Sequence, residues 1–490
     1  MSKTIGIVGA GIGGLALSIR LANHGFKVTL FEKNSYAGGK LSELKLNGFR
    51  FDKGPSLLTM PSLIDELSNL KENSPKFEYQ KLETVTNYFY PDGTQLKATA
   101  NLEDFAEEVH LKLNEKKESV LKYFKRNAFY FKTTEDIFLK QSLHQIKNFI
   151  NLKTIKGILL SPFLGLFSTM HKKNEQTFSN PKTVQLFNRY ATYNGSNPYK
   201  APALMNMISH LEFSLGAYLP LKGMHQITNH LVQLATNAGV EIKYNETVEI
   251  LDVGSNDRIN YIKSNGANYP FDIVASDVDI RVLYKHLLPS SFTPKKLIQQ
   301  EKSSSAYVFY WGINKEFASL GLHNILFSDD YKKEFDYLFS KQFPTDDPTI
   351  YINITSKYCK DDAPIGCENW FVMVNVPHNK NSTIEYAADI RKNVVAKINS
   401  MLKTNIEQYI VTESTLSPVD IENQTSSYGG SLYGNSSNNK FAAFLRHANF
   451  SSRIKNLYLV GGSVHPGGGI PLCLLSAKIA SQIIVDREKK

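Results

Sequence analysis

At 490 residues, 42% apolar and 21% charged, the chain is too long for one core and suits two or three globular domains, which excludes disorder and a polytopic membrane protein. Cys359, Cys367 and Cys473 have neither metal-ligand spacing nor an even disulfide set, so a reducing compartment and no metal site are expected. The net charge of +10 favours an anionic partner, either nucleic acid or an anionic membrane surface.

In chain order, Thr4 to Val8 reads as a buried strand, Leu15 to His24 carries helical periodicity, and Lys27 to Phe31 is a second strand ending at Glu32. Fixed glycine offsets and the absence of a basic leader beyond Lys3 argue against a cleaved signal. Between the first strand and the helix lies Gly9-x-Gly11-x-x-Gly14, which makes this a βαβ dinucleotide-binding unit. Gly9 makes the tight turn, Gly11 admits a pyrophosphate to the backbone, and Gly14 lets helix and strand pack closely. The helix N-terminus then offers free N–H groups to the phosphates. Glu32 is placed to accept from ribose hydroxyls, which disfavours a 2′-phosphate and hence NADP.

Turn-forming stretches follow at Gly38-Gly39-Lys40 and Phe51 to Ser56. Residues 76–219 are more aromatic and basic, with helical patterning. Dinucleotide-domain character returns near Gly216, with a helix predicted over His225 to Ala238 and a strand pair over Val240 to Tyr244 and Val248 to Val253. A short strand, Asp272 to Ser276, leads to Asp277. Strand-like runs at Ala306 to Trp311 and Trp370 to Val376 suggest a sheet-containing substrate lobe. The chain closes on a strand, Leu457 to Val460, a loop, Gly461 to Gly469, and a helix entered through Pro471. The expected fold class is α/β. A Rossmann-type cofactor domain assembled from 1–75, 216–280 and 445–490 is joined by an α+β substrate domain (281–444 with parts of 76–215) and a helical, membrane-facing lobe at about 105–190.

The remote second glycine loop suits a large cofactor with a second ring system, which favours FAD over NAD. The stretches Ile5 to Leu41, FRFDKGPSLLTMP, YNGSNPYKAPA, Asp362-Ala-Pro-x-Gly366, GGSLYGN and NLYLVGGSVHPGGGIP together resemble the bacterial-type phytoene and carotenoid desaturases, FAD enzymes with an amine-oxidase-like fold. The likeness spans essentially the whole chain. It implies that Gly9, Ala10, Gly11, Gly13, Gly14, Glu32, Lys33, Gly39, Lys40, Gly54, Pro55, Ser56, Val248, Asp277, Gly462, Ser463, Gly468, Gly469 and Ile470 contact FAD. It also implies hydride transfer from an allylic carbon to flavin N5, with oxygen or a quinone as final acceptor, and His465 is a candidate proton acceptor. The overall likeness is nearest to enzymes acting at the 3,4 position of 1-hydroxylated carotenoids. A phytoene desaturase, a carotenoid isomerase, an amine oxidase and a cofactor-free isoprenoid carrier are the alternatives.

Two positions depart from the family pattern, Leu221-Lys222-Gly223 and Leu472-Cys473-Leu474, and both are expected near the flavin or the substrate. From Ile137 to Asn174 six lysines (140, 147, 153, 156, 172 and 173) and no acid flank an apolar run, Gly157 to Met170. That run is shorter than the roughly 20 residues a spanning helix needs. It fits an interfacial segment, with Phe163, Leu164 and Leu166 entering an anionic bilayer at the inner face of the cytoplasmic membrane. Nucleic acid is disfavoured, because no recognised module accompanies the charge.

Overall fold

The computed structural model describes residues 2–145, 148, 160, 164–295, 299–378, 385–439 and 446–488. Its first layer is a five-stranded parallel sheet in the order Leu457–Leu459, Ile273–Ser276, Thr4–Val8, Lys27–Phe31, Glu241–Lys243. Apart from the edge strand Glu241–Lys243, these strands are short and almost wholly buried, as parallel strands covered on both faces must be. On one face, Ile12–Asn23 packs against Gln226–Asn237 and the terminal helix Ile470–Glu488. The first helix begins at Ile12, earlier than the apolar periodicity implies, because Gly11 is its N-cap and the glycines belong to its first turn.

The expected strand pair at 240–253 is divided between two sheets. Glu241–Lys243 joins the parallel sheet, whereas Val248–Val253 pairs antiparallel with Ile259–Ser264. The chain between them is tied to the end of the second strand: Asn245 N–H donates to the Asn34 carbonyl and Glu246 N–H to the Glu32 carbonyl. Those bonds direct it away from a hairpin.

The second layer is a seven-stranded sheet in the order Ile410–Leu416, Ser305–Ile313, Glu368–Val376, Ile350–Ile354, His323–Leu326, Thr84–Phe89, Gln95–Thr99. Its last two strands come from the region whose composition suggests helix. Side chains on successive strand positions point to opposite faces. Phe309, Trp311, Ile350, Ile352, Trp370, Val372 and Val374 therefore form one apolar core with Ile390, Val394 and Ile398 of the helix Ala387–Leu402. Their alternate neighbours, Ala306, Val308, His323, Ile325, Tyr351, Phe371 and Met373, face an internal cavity. The remaining helices, including Leu102–Leu113, Lys117–Thr134 and Pro181–Asn188, enclose Phe105, Tyr123, Phe124 and Phe187.

Among the described residues no helix is long and apolar enough to cross a membrane. Part of the basic, apolar segment, including Lys147, Lys153, Lys156 and Phe163, lies outside the described residues. Of the apolar side chains expected to enter lipid, Leu164 is only 1% exposed and belongs to the core, and Leu166 packs against that core. Among the described residues of the 105–190 region, Leu111, Phe129 and Phe167 are exposed, at 69%, 46% and 77%.

Candidate active site

Two cavities meet inside the molecule. The first, of about 360 Å³, runs along the C-terminal ends of the parallel strands, where ligands of such sheets bind. Its wall includes Gly9, Gly11, Gly13, Glu32, Lys33, Gly39, Lys40, Pro55, Val248, Asp277, Gly462, Ser463, Gly468, Gly469 and Ile470. The second, of about 290 Å³ and largely apolar, lies against the cavity face of the seven-stranded sheet. Gly39, Lys40, Pro55, Leu432, Tyr433, Gly469 and Ile470 border both, so the two spaces join where the terminal helix begins.

Four residues expected at the cofactor sit elsewhere. Ala10 is fully buried behind the wall, its N–H given to Glu32 Oε2 at 2.9 Å, and Gly14 gives its N–H to Asp277 Oδ2 at 2.9 Å. Gly54 and Ser56 line the apolar cavity instead of the cleft, because the backbone turns inward at Gly54 (φ +96°). His465 lines neither cavity. Its ring is buried and bonded through Nε2 to the Gln141 carbonyl at 2.9 Å, and burial lowers its pKa to about 4. Its own carbonyl accepts from Asn449 and Ser476. His465 therefore shapes the loop and is no proton acceptor for a bound substrate.

The two departures also separate. Leu221, Lys222 and Gly223 border neither cavity. A Cβ on Gly223 would press on the Arg50–Asp52 ion pair, so this turn serves packing. Cys473 does line the cleft, and burial pushes its thiol up to about 12, which keeps it protonated. Leu474 is core. Sequence reasoning missed two pieces of wall, Gln424 to Ser427 and Leu432 to Gly434; Lys33 Nζ is held beside the first, donating to the Asn423 carbonyl at 2.6 Å and to Ser426 Oγ at 2.9 Å. The GGSLYGN run contains the second and was the available signal.

The cleft explains its glycines. Cβ atoms at Gly11, Gly13 or Gly461 would overlap the Asp277 carboxylate, and one at Gly14 would overlap the Gly9 carbonyl. Gly469, by contrast, has φ +109° and nothing within 4 Å of a Cβ position, so the backbone there borders open space at the junction. An elongated groove with a glycine turn and helix N-terminus at one end, a carboxylate at Glu32, and an open, side-chain-free floor at Gly469 fits a flavin dinucleotide.

Asp277 is half-buried at this helix N-terminus, and burial pushes its carboxyl up to about 7. Since the folded-state value lies above the ordinary one, its stabilising contribution is complete below about pH 4 and lost as pH rises through about 7. In the FAD-free protein, Asp277→Asn is expected to raise the unfolding free energy at pH 8 by about 2–4 kcal/mol and to change it little at about pH 4. Denaturant melts at the two pH values check this; equal shifts at both would reject it.

Among the described residues no group of three or more His, Cys, Asp or Glu side chains gathers where a metal ion could sit. The strand–glycine turn–helix unit, the cleft and the adjoining apolar cavity define a flavoprotein oxidoreductase, and the chain belongs to the flavin containing amine oxidoreductase family, whose sequence model matches residues 12–485. FAD is its cofactor. It is 48% identical over 486 residues, 99% of both chains, to 1-hydroxycarotenoid 3,4-desaturase from Flavobacterium sp. (strain P99-3). It is 33% identical to 4,4'-diapolycopene oxygenase from Methylomonas sp, over 98% of this chain and 97% of that one. Wild-type putrescine oxidase bound to putrescine shares the fold, with a TM-score of 0.64 at 11% identity over 99% of this chain and 100% of that one.

Proposed function

We propose that this enzyme desaturates an acyclic carotenoid end at the 3,4 position, with a 1-hydroxycarotenoid as substrate. The observation that carries the reading is the junction itself: a largely apolar cavity, suited to a polyene, opens onto the cofactor cleft at Gly469 and Ile470. The 48% identity to the Flavobacterium desaturase supports the substrate class.

FAD held in this cleft would supply the acceptor for a hydride from the substrate. The chain's contribution is to bind, orient and exclude water. Gly9, Gly11, Gly13 and the N-terminus of Ile12–Asn23 would hold the phosphates, and Glu32 the ribose. The N-terminus of Ile470–Glu488 opens at the junction of the two cavities, where its dipole would favour negative charge on a flavin ring bound there. On the cavity wall, Val308, Ile325, Phe371, Met373 and Leu416 enclose the polyene. The final acceptor, in this reading, is oxygen or a quinone.

Anaerobic mixing of the yellow protein with a 1-hydroxycarotenoid is expected to bleach its flavin band, while phytoene leaves it oxidised. Bleaching by phytoene alone would overturn the substrate assignment.

We further propose a cofactor domain drawn from three chain segments, a substrate domain on the seven-stranded sheet, and a lobe at about 105–190 that rests on the inner face of the membrane. Exposed Phe129 and Phe167, within a basic region, support that docking. Replacing both with Asp is expected to reduce co-sedimentation with anionic vesicles at least fivefold while flavin absorbance persists. Undiminished sedimentation would remove the lobe from the membrane.

A further inference from the structure

Among the described residues lining the apolar cavity, His323 alone has a buried polar side-chain atom without a partner, its Nε2. The ring belongs to the strand His323–Leu326 and is 4% exposed. Its other nitrogen is crowded with partners: Nδ1 lies 2.7 Å from the Tyr351 hydroxyl and 3.2 Å from Asn353 Nδ2. Asn353 also donates from Nδ2 to the Leu322 carbonyl at 3.0 Å, which fixes its amide so that an N–H faces the ring. Nδ1 is therefore an acceptor, and in the neutral ring the proton resides on Nε2. Burial keeps the ring neutral, lowering its pKa to about 3, and Arg189 nearby acts in the same direction.

The Tyr351 hydroxyl in turn lies 2.7 Å from Ser56 Oγ. With its proton directed to Nδ1, it accepts from Ser56. The result is a directed chain, Ser56 to Tyr351 to His323, which ends on an N–H with no acceptor. Three charged or polar groups on the same wall are occupied: Lys53 by Gln424, Thr349 by Glu334, and Arg189 by Glu212.

A buried donor left unmade is costly, so such a group persists where a ligand supplies its acceptor. A hydrocarbon polyene supplies none, whereas an alcohol on its end does. Location agrees with this chemistry. Ser56 follows Pro55, which borders both cavities, so the Ser56 end of the chain lies beside the cofactor junction and Nε2 lies two hydrogen bonds and the width of an imidazole away from it. In a 1-hydroxycarotenoid the carbon bearing the hydroxyl is two bonds from C3, and its binding group must likewise lie next to the reacting carbons.

We propose that His323, oriented by Tyr351 and Asn353, is the specificity-determining residue that donates from Nε2–H to the C1 hydroxyl oxygen of the substrate. The proposal rests on the 3,4-desaturase reading above. A site built to bond a hydroxyl discriminates strongly against the analogue that lacks it.

The test compares kcat/KM for a 1-hydroxycarotenoid with that for an acyclic carotenoid of the same conjugated length lacking the hydroxyl. In the wild-type enzyme the hydroxylated substrate is expected to be preferred at least a hundredfold; no preference would reject the desaturase reading itself. With that preference established, His323→Leu is expected to lower the ratio at least tenfold and His323→Gln, which retains an N–H donor, to restore it to within about threefold of wild type. Tyr351→Phe, which releases the ring while leaving the donor, is expected to fall between them. Flavin absorbance and melting temperature report folding in each case. A ratio unmoved in the folded His323 variant, or in Tyr351→Phe should the former not fold, overturns the assignment.

Discussion

Gly14→Ala is expected to yield a colourless protein, with flavin absorbance at 450 nm below about a tenth of wild type even after reconstitution with excess FAD. The physical cause is local and rigid. Gly14 packs its Cα against the Gly9 carbonyl, and a Cβ there has no room. Neither partner can yield. Gly9 N–H is bonded to the Phe31 carbonyl at 2.8 Å, and the Gly14 N–H is held by Asp277. The helix must therefore lift from the strand, which moves the glycine turn away from the phosphates and opens the core around Leu15 and Leu17. Overpacking of this kind typically costs about 1–3 kcal/mol, and here it falls on the cofactor's own cradle. Gly25→Ala is the control: unlike Gly14 it has a positive φ, +84°, but a Cβ there meets nothing within 4 Å. Absorbance per mole of protein, read beside a thermal melt, separates lost FAD from lost fold, and a fully yellow Gly14 variant would contradict this account.

A comparably large effect is expected from Arg189→Leu, which should lower stability by about 3–5 kcal/mol. Arg189 and Glu212 form a buried ion pair at 2.8 Å, with side chains 5% and 1% exposed. Tyr88 and Tyr190 hydroxyls bond to the guanidinium, the hydroxyls of Tyr190 and Tyr193 to the carboxylate, and the Tyr190 ring centroid lies 4.4 Å from the guanidinium carbon. Removing the arginine leaves a carboxylate stranded in an aromatic core. Removing both charges, as in Arg189→Leu with Glu212→Leu, should recover much of the loss, since two apolar side chains carry no desolvation cost. Urea melts of the single and double variants measure the difference. An additive double variant would show that the pair acts as two independent groups.

The cofactor end of the molecule was the most legible in the sequence because backbone geometry dictates residue type there. Gly9, Gly11 and Gly14 are required by close approach, and Glu32 ends a strand whose apolar run is plain. The apolar cavity was far less legible. Its wall is half of an alternating pattern, in which Tyr351 between Ile350 and Ile352 reads the same whether its face meets a core or a substrate. The Ser56–Tyr351–His323 chain joins residues nearly three hundred positions apart, and no local pattern links them. His465 misled for the opposite reason: it lies in the loop beside the cofactor in sequence, yet its ring turns toward Gln141. Ser56 shows the same effect on a smaller scale, since one step along the chain from Pro55 moves a side chain from one cavity to the other.

The parallel sheet has a consequence for how the protein is made. Its central strand, Thr4–Val8, leaves the ribosome first, but its neighbour Ile273–Ser276 and the edge strand Leu457–Leu459 emerge hundreds of residues later, followed by the helix that floors the ring site. The nascent chain therefore carries unpaired apolar strands through most of synthesis, a period in which aggregation competes with folding. Vitamin supply adds to this. Apoprotein finished in flavin-starved cells has only its own packing to hold the last helix in place, so the yield of soluble enzyme should track intracellular FAD during translation, whereas cofactor added after lysis arrives too late to help.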